Sequence, residues 1–119
     1  MASGTRRFRA QAIAAGGTSG NLLADDTLRY PGVDSILEVA GTCEAAAANV
    51  FRMVVEIGNT VVFTGLVPTE AAAGRGPILP DDILFRTGVA QGDQISVRFD
   101  NEDAAAARSG NALISVEPA

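Results

Sequence analysis

The chain has no histidine, no lysine, no tryptophan and one cysteine in 119 residues, and each absence removes a class of chemistry. Without histidine, neither a Ser-His-Asp triad nor a Cys-His nucleophile pair can form. A zinc site usually draws on several Cys and His ligands, and Cys43 alone cannot supply them. Without lysine there is no Walker-type phosphate loop, and Gly74 and Gly76 lack the third glycine and the strand-to-helix setting of a dinucleotide loop. Cys43 has no partner for an internal disulfide, so it is expected as a small buried apolar side chain. One tyrosine, Tyr30, and no tryptophan leave little from which to build an exposed aromatic platform for sugars. No apolar run approaches the roughly 20 residues that cross a bilayer as a helix. The Ala12-Ile13-Ala14-Ala15 segment is also too short for the apolar core of a secretion signal. The expectation is a soluble protein with no membrane span and no cofactor.

Charge is divided unevenly. Residues 1–24 carry Arg6, Arg7 and Arg9 and no acid, while residues 25–119 hold six arginines against fourteen acids, so +3 and −8 make up the net −5. An acidic body does not favour wrapping nucleic acid, because phosphate binding is driven by many cationic contacts; no direct nucleic-acid recognition is expected. Residues 1–24 are rich in Ala, Gly, Ser and Thr, with Gly16-Gly17-Thr18-Ser19-Gly20 at their centre. They read as a flexible N-terminal arm that orders only against a partner, leaving 25–119 as the folded domain.

What is present is β structure. Two β-branched-rich runs, Val50 to Ile57 and Thr60 to Val67, flank the Gly58-Asn59 link that a tight hairpin favours. A two-residue turn sets Val55 opposite Val62 and Met53 opposite Thr64 on one face, with Glu56 opposite Val61 and Val54 opposite Phe63 on the other. Apolar residues on both faces predict that this hairpin is covered twice, by an opposing sheet and by a loop or another subunit. Further strands are expected at Ile36–Ala40, at Asp82–Thr87 with Ile83 and Phe85 facing one way, and at Ala112–Val116. In Gln94–Phe99 the alternation is unbroken, with Ile95, Val97 and Phe99 facing the core. Between the last two, Asn101 to Gly110 reads as one or two helical turns, with Asn101 as cap, acids first, Arg108 last and glycine closing. Six or so short strands in one small domain point to an all-β, antiparallel two-sheet sandwich in jelly-roll or Greek-key order.

Two acidic clusters, Asp81-Asp82 and Asp100-Asn101-Glu102-Asp103, offer hard oxygen ligands for Ca²⁺ or a carboxylate pair for glycoside hydrolysis. Strand entry accounts for the first and helix capping for the second, so neither is assigned a metal or a reaction. A non-enzymatic protein is expected. The alternative is a ligand-binding or adhesion module, dependent on carbohydrate or Ca²⁺.

In layout the chain resembles the small β-sandwich proteins of bacteriophage virions, namely capsid decoration or cement proteins and single jelly-roll coat subunits. The resemblance is carried by the arm from Arg6 to Gly20, the body from about Ser35 to Val116, and the pattern Gly92-Asp93-Gln94-Ile95-Ser96-Val97 followed by Asn111-Ala112-Leu113-Ile114-Ser115-Val116. It implies a structural protein of the virion, assembled in the host cytoplasm, that forms a homo-oligomer, trimeric by preference. Such a protein would bind the major capsid protein and stabilise the shell through oligomer and arm contacts. The interface positions expected on this reading are Arg6, Arg7 and Arg9 in the arm and Val54, Val61 and Phe63 in the hairpin.

Overall fold

The computed structural model describes residues 4–44, 50–70, 76–78 and 82–119. Among these, seven strands form: β1 (Gly4–Ile13), β2 (Ser35–Cys43), β3 (Phe51–Ile57), β4 (Thr60–Leu66), β5 (Ile83–Val89), β6 (Ile95–Asn101) and β7 (Arg108–Pro118). They make two antiparallel sheets, one in the order β1-β7-β2-β5 and the other β4-β3-β6. The sandwich expected from the sequence is therefore the fold.

A further stretch completes the second sheet without being a regular strand. Residues 17–22 run along the free side of β6, where Ser19 N–H donates to Phe99 O at 2.9 Å, Leu22 N–H to Val97 O at 2.7 Å, and Asn101 N–H to Gly17 O at 2.9 Å. Where this stretch turns its backbone away, its side chains substitute. Ser19 Oγ accepts from Phe99 N–H at 2.9 Å and Asn21 Oδ1 from Val97 N–H at 3.1 Å. Counting this stretch, eight segments pair first with last, second with seventh, third with sixth and fourth with fifth. This is one long antiparallel hairpin folded over two layers, the pairing of a jelly roll.

The core lies between the layers. In β6 the alternation does as expected: Ile95, Val97 and Phe99 are fully buried while Ser96, Arg98 and Asp100 face out, partly exposed. Phe99 meets Phe51 with ring centroids 5.0 Å apart, and Leu37, Val39, Ile114 and Val116 close over them from the other sheet. Gly110 permits this, because a Cβ there would lie 2.7 Å from the Phe51 ring and 3.0 Å from that of Phe99. Cys43 is buried in the same core, as anticipated.

Four local expectations are corrected. The leader, read as a flexible arm, forms β1 over Gly4–Ile13, paired with β7 from Gly4↔Val116 to Ile13↔Arg108. Its apolar content is modest, but Phe8, Ala10 and Ile13 all reach the core, and the backbone ladder supplies what composition cannot display. A bulge between Ala10 and Ile13, with Ala12 at φ 51°, rephases the strand so that Ile13 also points inward. The hairpin turns at Gly58, φ 63°, as the sequence predicts, but a bulge between Val55 and Glu56 shifts the register. Glu56 faces Val61 as expected, whereas Val55 faces Phe63, and Val54 faces Thr64. A second shift, at Val39/Ala40, pairs Val39 with Phe85 and Ala40 with Ile83, so Ile83 and Phe85 take opposite faces and Leu84 joins Phe85 against the core. Finally, residues 102–107 form a loop and not helical turns. Asp103 Oδ1 accepts from Ala105 and Ala106 N–H at 2.8 and 3.2 Å, as a helix cap would, but Arg108 already enters β7.

Candidate interaction surface

The outer face of the second sheet is built from alternate residues of three strands. On β3 and β6, Arg98 Nη1 donates to Glu56 Oε2 at 3.0 Å and its Nε to Asp100 Oδ1 at 3.1 Å, while Arg52 Nε reaches Glu102 Oε1 at 2.6 Å. These charges satisfy one another across the face. Val54 sits among them, directly opposite Arg98 on one side and Thr64 on the other, and is 4% exposed.

Beside this ion-paired strip runs β4, which is different in kind. Its sequence, Thr60-Val61-Val62-Phe63-Thr64-Gly65-Leu66, contains no charged residue. Among the described residues five large hydrophobic side chains stand exposed, and three of them are Val61 (51%), Val62 (39%) and Leu66 (42%). Among the described residues the strand is also an edge, bonded only to β3. Exposed edges carry unpaired N–H and C=O groups that template pairing with another chain, and they are normally blunted by charge, proline or covering segments. The other edges are so treated. β1 carries Arg6, Arg7 and Arg9; β5 carries Arg86, paired with Glu38 at 3.4 Å; and residues 17–22 bend at Gly20, φ 73°. On β4, among the described residues, the bulge is the sole device of this sort.

The six expected interface positions thus separate. Val54 and Val61 share the outer face, but only Val61 is accessible. Phe63 is turned to the other side by the bulge and stacks on Phe85, centroids 5.0 Å apart at 19°, closing the gap between the edge strands β4 and β5. Sequence reasoning missed Val62 and Leu66; strict hairpin pairing would have placed Val62 beside Val55, inside.

The three arginines lie on the opposite sheet and contact their own chain. Arg9 grips Glu44 with both prongs of its guanidinium, at 2.6 and 2.8 Å. Asn111 Nδ2 donates to the same carboxylate at 2.8 Å and to Glu70 Oε1 at 2.9 Å. The Arg9 hydrogen bond holds the Glu44 carboxyl below its ordinary pKa and raises that of Arg9. Arg7 Nη1 donates to Pro77 O at 3.4 Å, and Arg6 lies 3.8 Å from Asp26. No spacing in the sequence marks this cluster, whose members stand far apart and meet only because β1, β2 and β7 are neighbours.

The acidic clusters are likewise committed. Asp81 lies outside the described residues; Asp82 Oδ2 accepts from Ile78 N–H at 2.8 Å. Asp100 and Glu102 face arginines, and Asp103 Oδ2 takes Arg108 at 2.6 Å. Backbone N–H groups, Ala105 first, and then Arg108 keep the Asp103 carboxyl below its ordinary pKa. Among the described residues no three His, Cys, Asp or Glu side chains converge as a metal site would require. What stands out on this surface is one uncharged, apolar edge strand, paired with β3 on one side and, among the described residues, with no strand on the other. Comparison with known proteins returns no matching family model, no matching curated protein and no matching solved structure.

Proposed function

We propose that this chain is a non-enzymatic structural subunit of a virion shell, of the capsid decoration or cement kind, acting through contacts with its own copies and with the major capsid protein. The observation that carries the reading is β4: an edge strand without charge, with Val61, Val62 and Leu66 in solvent beside a face whose charges are already paired. A second chain laid along it would extend the sheet through backbone hydrogen bonds and cover the apolar side chains. The jelly-roll pairing supports the same reading by analogy of fold. Weak edge contacts of this size gain strength when many copies sit on one lattice, because each neighbour raises the effective concentration of the next.

The test is sedimentation or light scattering of the intact chain beside a Val61→Asp/Leu66→Asp variant. The wild type should associate. The variant should weaken association about 100-fold, close to 2.7 kcal/mol, with an unchanged far-ultraviolet circular dichroism spectrum, since both side chains already stand in water. A wild type that remains monomeric at its solubility limit and does not bind capsid shells would refute the proposal.

A further inference from the structure

We infer that the end of the sandwich where β2 begins and β5 and β7 finish is a docking pocket for an arginine-bearing segment of a different protein. The surface lies apart from β4, and the inference does not depend on the assembly reading.

Three segments build the pocket. Val33 and Asp34 precede β2, Gln91 follows β5, Pro118 ends β7 and Ala119 follows it; together these residues line an open depression. Backbone groups fasten the segments to one another. Gln91 N–H donates to Asp34 Oδ1 at 2.9 Å, Ala119 N–H to Asp34 O at 3.0 Å, and Gly92 N–H to Pro31 O at 2.9 Å. The Asp34 carboxylate is therefore held in place before any ligand arrives, which lowers the cost of binding one. Among the described residues nothing else donates to it, so most of the acceptor positions of a carboxylate stay open.

Charge decides what enters. Elsewhere Glu38, Glu44, Glu56, Asp100, Glu102 and Asp103 each meet an arginine. Asp34, Asp93 and Glu117 do not: among the described residues none of the three has a cationic partner. They gather at this end. Asp93 lies two residues after Gln91, in the turn that its N–H closes on Ala90 O at 3.1 Å, and Glu117 stands opposite Ile36, two residues after Asp34. All three are exposed. Like charges brought together without a counter-ion repel, and a cation laid among them relieves that repulsion. Val33 and Pro118 add apolar lining, which suits a weakly hydrated guanidinium and its aliphatic stem better than an ammonium. The planar fork of arginine also matches the open positions on Asp34.

A second copy of the chain is a poor source for that cation. It has no lysine, and every described arginine is engaged on its own chain. Arg29 donates to Ala24 O at 3.1 Å and lies 5.3 Å over the ring of Tyr30, while the others hold the partners given above. Arg75 lies outside the described residues. A partner of other sequence supplies the arginine.

The test titrates the isotope-labelled full chain with the blocked peptide acetyl-Gly-Arg-Gly-Arg-Gly-amide at low ionic strength and follows amide chemical shifts. Shifts should be confined to residues 33–35, 91–93 and 117–119. Asp34→Asn, which keeps an oxygen for Gln91 N–H, should weaken binding about five-fold, and Asp34→Asn/Glu117→Gln about 20-fold. Glu44→Gln/Glu102→Gln removes the same charge at the opposite end of the strands and should leave affinity within about two-fold. The lysine counterpart of the peptide should bind about three-fold more weakly. No shifts at millimolar peptide, shifts spread over acids elsewhere, or an equal loss in the Glu44/Glu102 control would overturn the pocket, the last by reducing it to attraction by net charge. None of these results bears on β4, so the assembly reading stands or falls separately.

Discussion

Asn101→Ala should destabilise the protein by about 3 kcal/mol, because one buried amide holds together the corner where three segments meet. Asn101 is 1% exposed at the end of β6. Its Nδ2 donates to Ile13 O at 3.0 Å, to Ala106 O at 2.9 Å and, more distantly, to Ala14 O at 3.4 Å. Its Oδ1 accepts from Asp103 N–H at 3.1 Å. Alanine would strand these groups away from water, the costly half of the hydrogen-bond asymmetry. In urea the midpoint should fall by about 1.5 M, taking a slope of roughly 2 kcal/mol per molar. Asn101→Asp should be no better, since a carboxylate would face the carbonyls that the amide now satisfies. A midpoint shift below about 0.3 M for the alanine variant would mean that the corner is held by something else.

Phe99→Ala should cost about 3–5 kcal/mol, a large share of the 5–15 kcal/mol by which a domain of this kind is stable. The ring is fully buried, packs at a tilt against Phe51 with centroids 5.0 Å apart, and fills the space that Gly110 leaves open. Neither sheet can close over the loss, because Phe51 and Met53 are held on β3, whose ladder with β6 runs along the whole strand from Phe51↔Asn101 to Ile57↔Ile95. Phe63→Ala should cost less than half as much, because that ring is only half-buried at the margin between β4 and β5. Chemical denaturation of the two variants side by side checks the order. Equal losses would contradict a core centred on the Phe51–Phe99 pair.

Much of this architecture could be read from residue order. Gln94 to Phe99 alternates because β6 has one face on the core, and Gly58-Asn59 reads as a turn because glycine takes the left-handed position there. These are short-range signals, each carried by neighbouring residues. The bulges in β4 and β5 are not legible. An extra residue near Val62 or Leu84 changes no local propensity, yet it moves every later side chain to the other face. Strict alternation therefore puts Phe63 on the same face as Val54, and Ile83 on the same face as Phe85, where the structure separates both pairs. The leader is illegible as a strand for a different reason. Phe8, Ala10 and Ile13 bury too little to suggest a strand by composition, and its stability comes from the β7 ladder, a partner about a hundred residues away. The Asn101–Gly110 loop shows the limit of local rules: its cap chemistry is real, but the chain enters β7 before a helical turn can follow.

At the candidate surface, Val61 is legible as an apolar residue opposite Glu56, in a hairpin with apolar residues on both faces. The significance of β4 was not, because being an edge is a property of sheet order and not of sequence. Likewise Arg6, Arg7 and Arg9 read as a free cationic leader until β1 is seen beside β7, where Glu44, Pro77 and Asp26 receive them.

The central claim, that copies of this chain meet along an uncharged sheet edge, is tested most directly by amide hydrogen exchange on the full-length protein at dilute and at assembling concentrations. The account predicts that protection rises with concentration over Thr60–Leu66 while the interior strands β3 and β6 stay unchanged. Association with no added protection in β4, or with protection confined to another face, would contradict it.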